Sequence, residues 1–180
     1  MRVIAGSLKG RRLKAPTWEG LRPTSDKLRE TLFNILAPRI AGARVLDGYA
    51  GTGALGIEAI SRGAAFVTFA DSDRRAQTLV AENLAHCGVT NGYAIIRATV
   101  ARAIDEFGAA SLDIILLDPP YDDREVETVI ATAGGVLAPG GVLVLEHARR
   151  RETPDAAGPL TRVRQVTSGD STLSFYAWPH

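Results

Sequence analysis

The chain has one cysteine, Cys87, and three histidines in 180 residues. A single thiol excludes an intrachain disulfide and a cysteine cluster for zinc. Such sparing use fits a reducing compartment, so a cytoplasmic location is expected. His86, His147 and His180 are too scattered for a histidine-centred triad, and no metal site is expected. Long apolar runs are missing as well. The runs present fall far short of the roughly 20 residues that cross a bilayer, and Met1–Gly6 has no apolar core of a signal peptide. No membrane partner is expected. There is no internal repeat and no low-complexity tract. The two tryptophans, Trp18 and Trp178, read as packing, although Trp18 sits beside a basic segment.

An excess of one charge is missing only on average. The net charge is +1, yet residues 1–44 hold ten Lys and Arg against three acids, and the remainder is acidic. A basic arm on an acidic body suits an anionic partner, with nucleic acid leading. A solvated basic hairpin explains the charge equally well. Val3–Leu8 and Arg11–Ala15 flank Lys9-Gly10 as a β-hairpin. Thr24 or Ser25 can cap a helix with Leu28, Leu32, Ile35 and Leu36 on one face, ended by Pro38. Residues 1–40 are read as this extension and 41–180 as the core.

From Arg44 the pattern changes. Strands are expected at 44–49, 66–70, 93–97, 112–117 and 142–146, with helices at 54–62, 73–86, 100–107 and 125–134. This alternation implies βαβ units, hence a Rossmann-like, doubly wound α/β sheet, mostly parallel and seven-stranded, with helices on both faces. Two final segments, 162–167 and 172–178, form a hairpin that adds antiparallel strands at one edge. Residues 149–159 read as the loosest stretch.

Two strand ends carry chemistry. Ile114-Ile115-Leu116-Leu117 is a buried strand stopped by Asp118-Pro119-Pro120-Tyr121, because proline cannot continue the ladder. An acceptor, a stiff turn and a ring suit a flat base bearing an exocyclic amine. Val45-Leu46-Asp47 leads into Gly51-Thr52-Gly53-Ala54-Leu55-Gly56, which also matches the dinucleotide fingerprint. Asp47 would repel a pyrophosphate and attract an ammonium group. Asp71, closing the second strand twenty residues after Gly51, can accept from both ribose hydroxyls, with Asp73 capping the next helix. A phosphate-free cofactor, S-adenosylmethionine, fits this set. A nicotinamide dehydrogenase would use the glycines but not Asp47 or Asp118–Tyr121. A non-catalytic RNA-binding module would use neither loop.

Together these residues resemble the Rossmann-fold methyltransferases that act on exocyclic amines. Arg2–Gly6, Lys9–Leu13, Arg22-Pro23-Thr24, Arg29-Glu30 and Leu32-Phe33-Asn34 extend the likeness to the RsmD-type family of bacterial 16S rRNA guanine-N2 methyltransferases, over nearly the whole chain. The resemblance implies methyl transfer from S-adenosylmethionine to N2 of a guanine, guanine 966, in 16S rRNA within a small-subunit particle, by a monomer. An amine in DNA is the alternative substrate. Asp118, Pro119 and Tyr121 would be catalytic, and Pro120 and Tyr121 would hold the base. Asp47, Gly51, Gly53, Asp71, Thr99 and Val100 would bind the cofactor. Arg2, Lys9, Arg11, Arg12 and Lys14 would contact phosphates, and Arg22 the base or the cofactor carboxylate. Two positions depart from the family. Thr99 stands where an acid usually accepts from the adenine amine, and Gly48 where a larger apolar residue is common.

Overall fold

The computed structural model describes residues 1–20, 24–120 and 123–180. Helix α1 (Asp26–Ile40) precedes β1 (Arg44–Asp47), α2 (Ala54–Ser61), β2 (Phe66–Asp71), α3 (Arg74–His86), β3 (Tyr93–Arg97), α4 (Val100–Asp105), β4 (Leu112–Leu117), α5 (Val126–Ala133) and β5 (Leu137–Ala148). Three strands follow: β6 (Ala156–Ala157), β7 (Leu160–Ser168) and β8 (Ser171–Ala177). The sheet order is β3-β2-β1-β4-β5-β8-β7-β6. The first five strands are parallel and the last three antiparallel.

Central strands β1 and β4 are apolar on both sides because helices cover both faces. Ile114, Ile115, Leu116 and Leu117 are at most 2% exposed. Two clusters divide the interior. One face joins Val45, Phe69 and Ile114 to Val3, Leu13 and α1; the other joins Leu46, Ile115 and Leu117 to α4 and α5. Val3 and Leu13 therefore share a core with the sheet, and the N-terminal segment is packed down rather than loose.

Several expectations need correction. The sheet has eight strands, not seven. The extra β6 lies in the stretch read as loosest, where two alanines carry no periodic signal. Gly158, at φ +56°, turns the chain so close to Ala131 that a Cβ would lie 2.8 Å from its Cα. Strand β5 starts at Leu137, five residues early, because a bulge absorbs the Pro139-Gly140-Gly141 stretch: Leu112 pairs with Leu137, then Ile114 with Val142. Helix α1 continues through Pro38 to Ile40. Ser25 caps it, accepting from the Leu28 N–H at 3.1 Å, which leaves Thr24 for another task.

The hairpin is short: Arg2 bridges Arg12, the Val3 N–H donates to the Arg11 carbonyl at 2.9 Å and the Leu13 N–H to the Met1 carbonyl at 3.0 Å. The Ile4 and Ala5 N–H groups donate instead to the Glu58 carboxylate, at 2.8 and 3.1 Å. Leu8 N–H donates to Ser61 Oγ at 2.9 Å. A buried carboxylate outcompetes a neutral carbonyl as acceptor, so from Ile4 onward the first arm docks on α2, while Met1 and Val3 stay paired with the second arm. Glu58 is fully buried and also takes the Arg62 guanidinium at 2.9 Å. Arg62 in turn lies over the Phe33 ring, 5.3 Å from its centre. Arg29, also fully buried, donates to the Arg2 carbonyl at 2.6 Å and to Asp26 at 3.0 Å.

Glu58→Ala removes an acceptor shared by two backbone N–H groups and an arginine. It should cost about 3–5 kcal/mol and speed tryptic cleavage at Lys9, Arg11 and Arg12, with Glu58→Gln milder on both counts. Urea unfolding and limited proteolysis check this; unchanged stability and cleavage would refute the clamp.

Candidate active site

Between β1 and β4 the crossovers turn in opposite directions, and a crevice opens beyond the carboxyl ends of both strands. It forms a cavity of about 710 Å³ whose walls bring together the two motifs read from sequence. Gly48 to Thr52 and Asp71 to Asp73 line one end; Asp118, Pro119 and Pro120 line the other. Thr99 and Val100 form part of the same wall. Arg22 and Tyr121 lie outside the described residues.

The glycines divide their roles. Gly51 and Gly53 take φ +57° and +83°, a left-handed region that other residues enter at a cost. Gly53 caps α2 from behind the turn and does not line the cavity. At Gly56 a Cβ would fall 2.2 Å from the Phe69 ring, so this glycine sets the close packing of α2 on β2. Gly48 has a similar reason. Its Cβ would lie 2.7 Å from Leu117 and 2.8 Å from Val100, which explains the absence of a larger residue there.

The acids also divide. Asp71 Oδ2 accepts from the Gly51 N–H at 3.0 Å and Oδ1 from the Asp73 N–H at 2.9 Å. A carboxylate has about four acceptor positions, so these two bonds leave capacity for ribose hydroxyls. Asp73 caps α3, accepting from Arg75 N–H at 2.8 Å. Asp47 departs from expectation. It is 1% exposed and sits beneath the turn, not on the cavity wall. Its Oδ2 accepts from the Gly56 N–H at 3.0 Å, because the first turn of α2 offers unpaired donors there. Burial raises its carboxyl to about 7, against the lowering effect of the Gly56 bond and with Asp71 adding to the rise. Thr99 caps α4, accepting from Arg102 N–H at 3.3 Å while facing the cavity.

At the far end, Asp118 is not alone. Leu117 pairs with Leu145, so Glu146, the next residue of β5, stands beside it. Thr24 Oγ1 lies 3.3 Å from Asp118 Oδ2 and 2.8 Å from Glu146 Oε2. Burial, then the neighbouring Glu146 charge, pushes the Asp118 carboxyl well above its ordinary range. Glu146 was missed at the sequence level, although its signal was present: a buried parallel strand ending in an acid, as β4 does. Asn83 was missed too, a polar residue within a helix. Its amide donates to Thr52 O at 2.8 Å and Lys14 O at 3.3 Å, and its Oδ1 accepts from Lys14 N–H at 2.7 Å. It ties the basic arm to the glycine turn. Tyr49 Oη donates to Asp123 Oδ2 at 2.8 Å and Arg151 donates to the Asp123 carbonyl at 2.8 Å, fastening the loop after Pro120 to the turn after β1.

Arg2, Lys9, Arg11, Arg12 and Lys14 are all exposed and lie outside the cavity lining. Lys14 pairs with Glu82 at 3.3 Å. Trp18 packs under the Arg75 guanidinium, 4.9 Å away. His147 bonds Ser174 Oγ at 2.7 Å, and burial lowers its pKa.

Among the described lining residues, Asp71, Asp73, Asp118, Asp123, Glu125 and Glu146 face a single arginine, Arg151. Such a cleft repels a pyrophosphate and attracts a cation, as a sulfonium bearing an ammonium group requires. A doubly wound sheet with a cleft of this polarity belongs to the class of Rossmann-like methyltransferases. Within that class, the family model described as conserved hypothetical protein 95 matches residues 1–177. The chain belongs to this family, that of the RsmD-type methyltransferases. It is 34% identical to ribosomal RNA small subunit methyltransferase D of Escherichia coli, covering 98% of this chain and 89% of that one. The Haemophilus influenzae protein of that name is 38% identical over 98% of this chain and 93% of its own. The solved structure of Escherichia coli yhhF superimposes with a TM-score of 0.84 at 32% identity, covering 98% and 96% of the two chains. Among the described residues no helix is long and apolar enough to cross a membrane.

The state of Asp47 is testable without ligand. Its folded value, about 7, lies above the ordinary 3.8. The protonated form is thus favoured by folding, and the stability it contributes is full below about pH 4 and lost as pH rises through 7. Asp47→Asn keeps an acceptor for Gly56 N–H without the charge. Relative to wild type the variant should gain stability between pH 5 and 8, by up to about 4 kcal/mol, in urea unfolding of the ligand-free protein. A pH-independent difference would show that Asp47 ionises normally.

Proposed function

We propose that this protein transfers a methyl group from S-adenosylmethionine to the exocyclic N2 of a guanine in small-subunit ribosomal RNA, the RsmD-type reaction at guanine 966. The observation that carries the reading is that Asp118 and Pro119 open into one cavity with the glycine turn and Asp71. The cofactor, when bound, supplies an electrophilic methyl group. Asp71 would hold the ribose hydroxyls, the backbone of Gly48 to Gly51 the amino-acid tail, and Thr99 and Val100 the adenine side. Asp47 would act through the turn it supports.

A guanine 2-amino nitrogen is a poor nucleophile because its lone pair is delocalised into the ring. The Asp118 carboxylate and Pro119 carbonyl accept its two N–H groups, favour pyramidal geometry and oppose the positive charge that develops on nitrogen. Electrostatic preorganisation of this type is usually the largest catalytic term. The methylated nitrogen then loses one proton, for which Asp118, a stronger base than an ordinary carboxylate, is well placed. The base must leave its stack to reach the cleft; Pro120 and Tyr121 would receive it. Arg2, Lys9, Arg11, Arg12 and Lys14 would hold phosphates outside the cavity, on RNA presented by a small-subunit particle, with a cytoplasmic monomer as the working form.

Asp118→Ala should lower methyl transfer by at least about 100-fold while S-adenosylhomocysteine binding, measured by calorimetry, stays within a factor of a few. Equal transfer rates would remove Asp118 from the mechanism. Arg11→Glu with Arg12→Glu should weaken binding to 16S rRNA and flatten its salt dependence. RNA affinity titrated across salt concentrations checks this, and an unchanged slope would place the phosphates elsewhere.

A further inference from the structure

An exocyclic amine needs acceptors, and Asp118 with Pro119 already supplies two. Glu146 is surplus to that task and works against it, because its charge opposes ionisation of Asp118. Yet the fold holds it there. Register places it on β5 one residue past the last parallel pair with β4, it lines the same cavity, and Thr24 Oγ1 grips it at 2.8 Å, closer than the 3.3 Å to Asp118. One hydroxyl has one proton, so Thr24 neutralises neither acid fully. Two adjoining carboxyl groups in one pocket suit a ligand with two adjoining donors.

Flipped bases are read along the Watson–Crick edge. On guanine that edge presents N1–H directly beside the 2-amino group. Adenine and cytosine instead place a ring nitrogen acceptor beside their amines, and an acceptor set against a carboxylate is repelled. We propose that Glu146 is a specificity-determining residue: its carboxylate accepts the guanine N1–H while Asp118 accepts from the 2-amino group, so the pair selects guanine over bases whose amine adjoins an acceptor. This rests on the guanine-N2 reading above and names how that site chooses its base.

The test uses small-subunit particles reconstituted with 16S rRNA carrying either guanine or 2-aminopurine at the target position. 2-Aminopurine keeps the reactive amine but has an unprotonated N1; its missing O6 affects wild type and variant alike. A site built to bond a donor rejects the analogue lacking it. Wild type should prefer guanine by at least about 100-fold in kcat/KM. Glu146→Ala should reduce that preference to below about 10-fold, by losing rate on guanine while holding or gaining rate on 2-aminopurine. Glu146→Gln, a neutral acceptor, should fall between. S-adenosylhomocysteine binding confirms that each variant is folded. Equal losses on both bases would mean that Glu146 only positions Asp118, and an undiminished preference would mean that it does not read N1; either overturns the proposal. Failure of the wild type to methylate guanine, with transfer elsewhere or nowhere, would overturn the guanine-N2 reading itself and this inference with it.

Discussion

Between β1 and β4 the sheet reverses its winding, and the crevice opened there is where the site's groups converge. The chain leaves β1 toward one side and β4 toward the other, so no connection covers the strand ends between them. The central strands β1 and β4 are buried on both faces, which leaves their carboxyl ends as the place for charged groups. The acids of the site lie where the parallel pairing ends: Asp47 and Asp71 close β1 and β2, Asp118 follows β4, and Glu146 is the residue of β5 just past its last parallel pair. Four acids at four neighbouring strand ends would repel one another, and the structure limits that repulsion by different means. Asp47 and Asp71 bond backbone N–H groups of the turns beside them. Asp118 and Glu146 share a hydroxyl. The first pair supports the glycine turn, and Asp118 and Glu146 line the cavity.

The basic segment is tied to this site through two buried side chains. Glu58 gathers the Ile4 and Ala5 N–H groups and Arg62, and Asn83 holds Lys14 and Thr52 at once. Leaving either unpaired would bury unsatisfied polar groups. The arm is consequently fixed in position while its own cations point outward. Glu58 and Asn83 thus hold the basic arm at a fixed distance from the cleft.

Much of the fold could be read from the residues, because the alternation of short apolar runs with helical periods is strong from Arg44 onward. The core helices and strands fall within a few residues of their expected bounds. What could not be read depended on competition between acceptors. The hairpin is shorter than expected because Glu58 draws away its first arm from Ile4 onward, a fact set by tertiary packing alone. Strand β6 is two alanines with no pattern, and Pro38 sits where the last helical turn tolerates it. In the site, Gly51, Asp71, Asp118, Pro119 and Pro120 stand where motif reasoning put them. Asp47 does not, because spacing shows that an acid ends the strand but not which way its side chain turns. Glu146 and Thr24 were overlooked for a related reason: each is unremarkable in its own segment, and only the pairing of β4 with β5 brings them to Asp118.

The glycine turn alone does not choose its ligand, since the same backbone serves dinucleotide enzymes. Its glycines act in the same ways here, opening the turn at Gly51 and allowing close helix packing at Gly56. The difference lies in the field around it. A pyrophosphate at a helix N-terminus is held by partial positive charge from unpaired N–H groups. In this chain Asp47 occupies that position from below, bonding the Gly56 N–H and, once ionised, cancelling the field there. Among the described residues that line the cavity, acids outnumber the one arginine, Arg151. A phosphate would meet like charge at each contact, whereas a sulfonium and an ammonium group would relieve repulsion that the protein otherwise carries unbalanced. The excess of acids along the cleft wall therefore favours a cationic ligand over a phosphate.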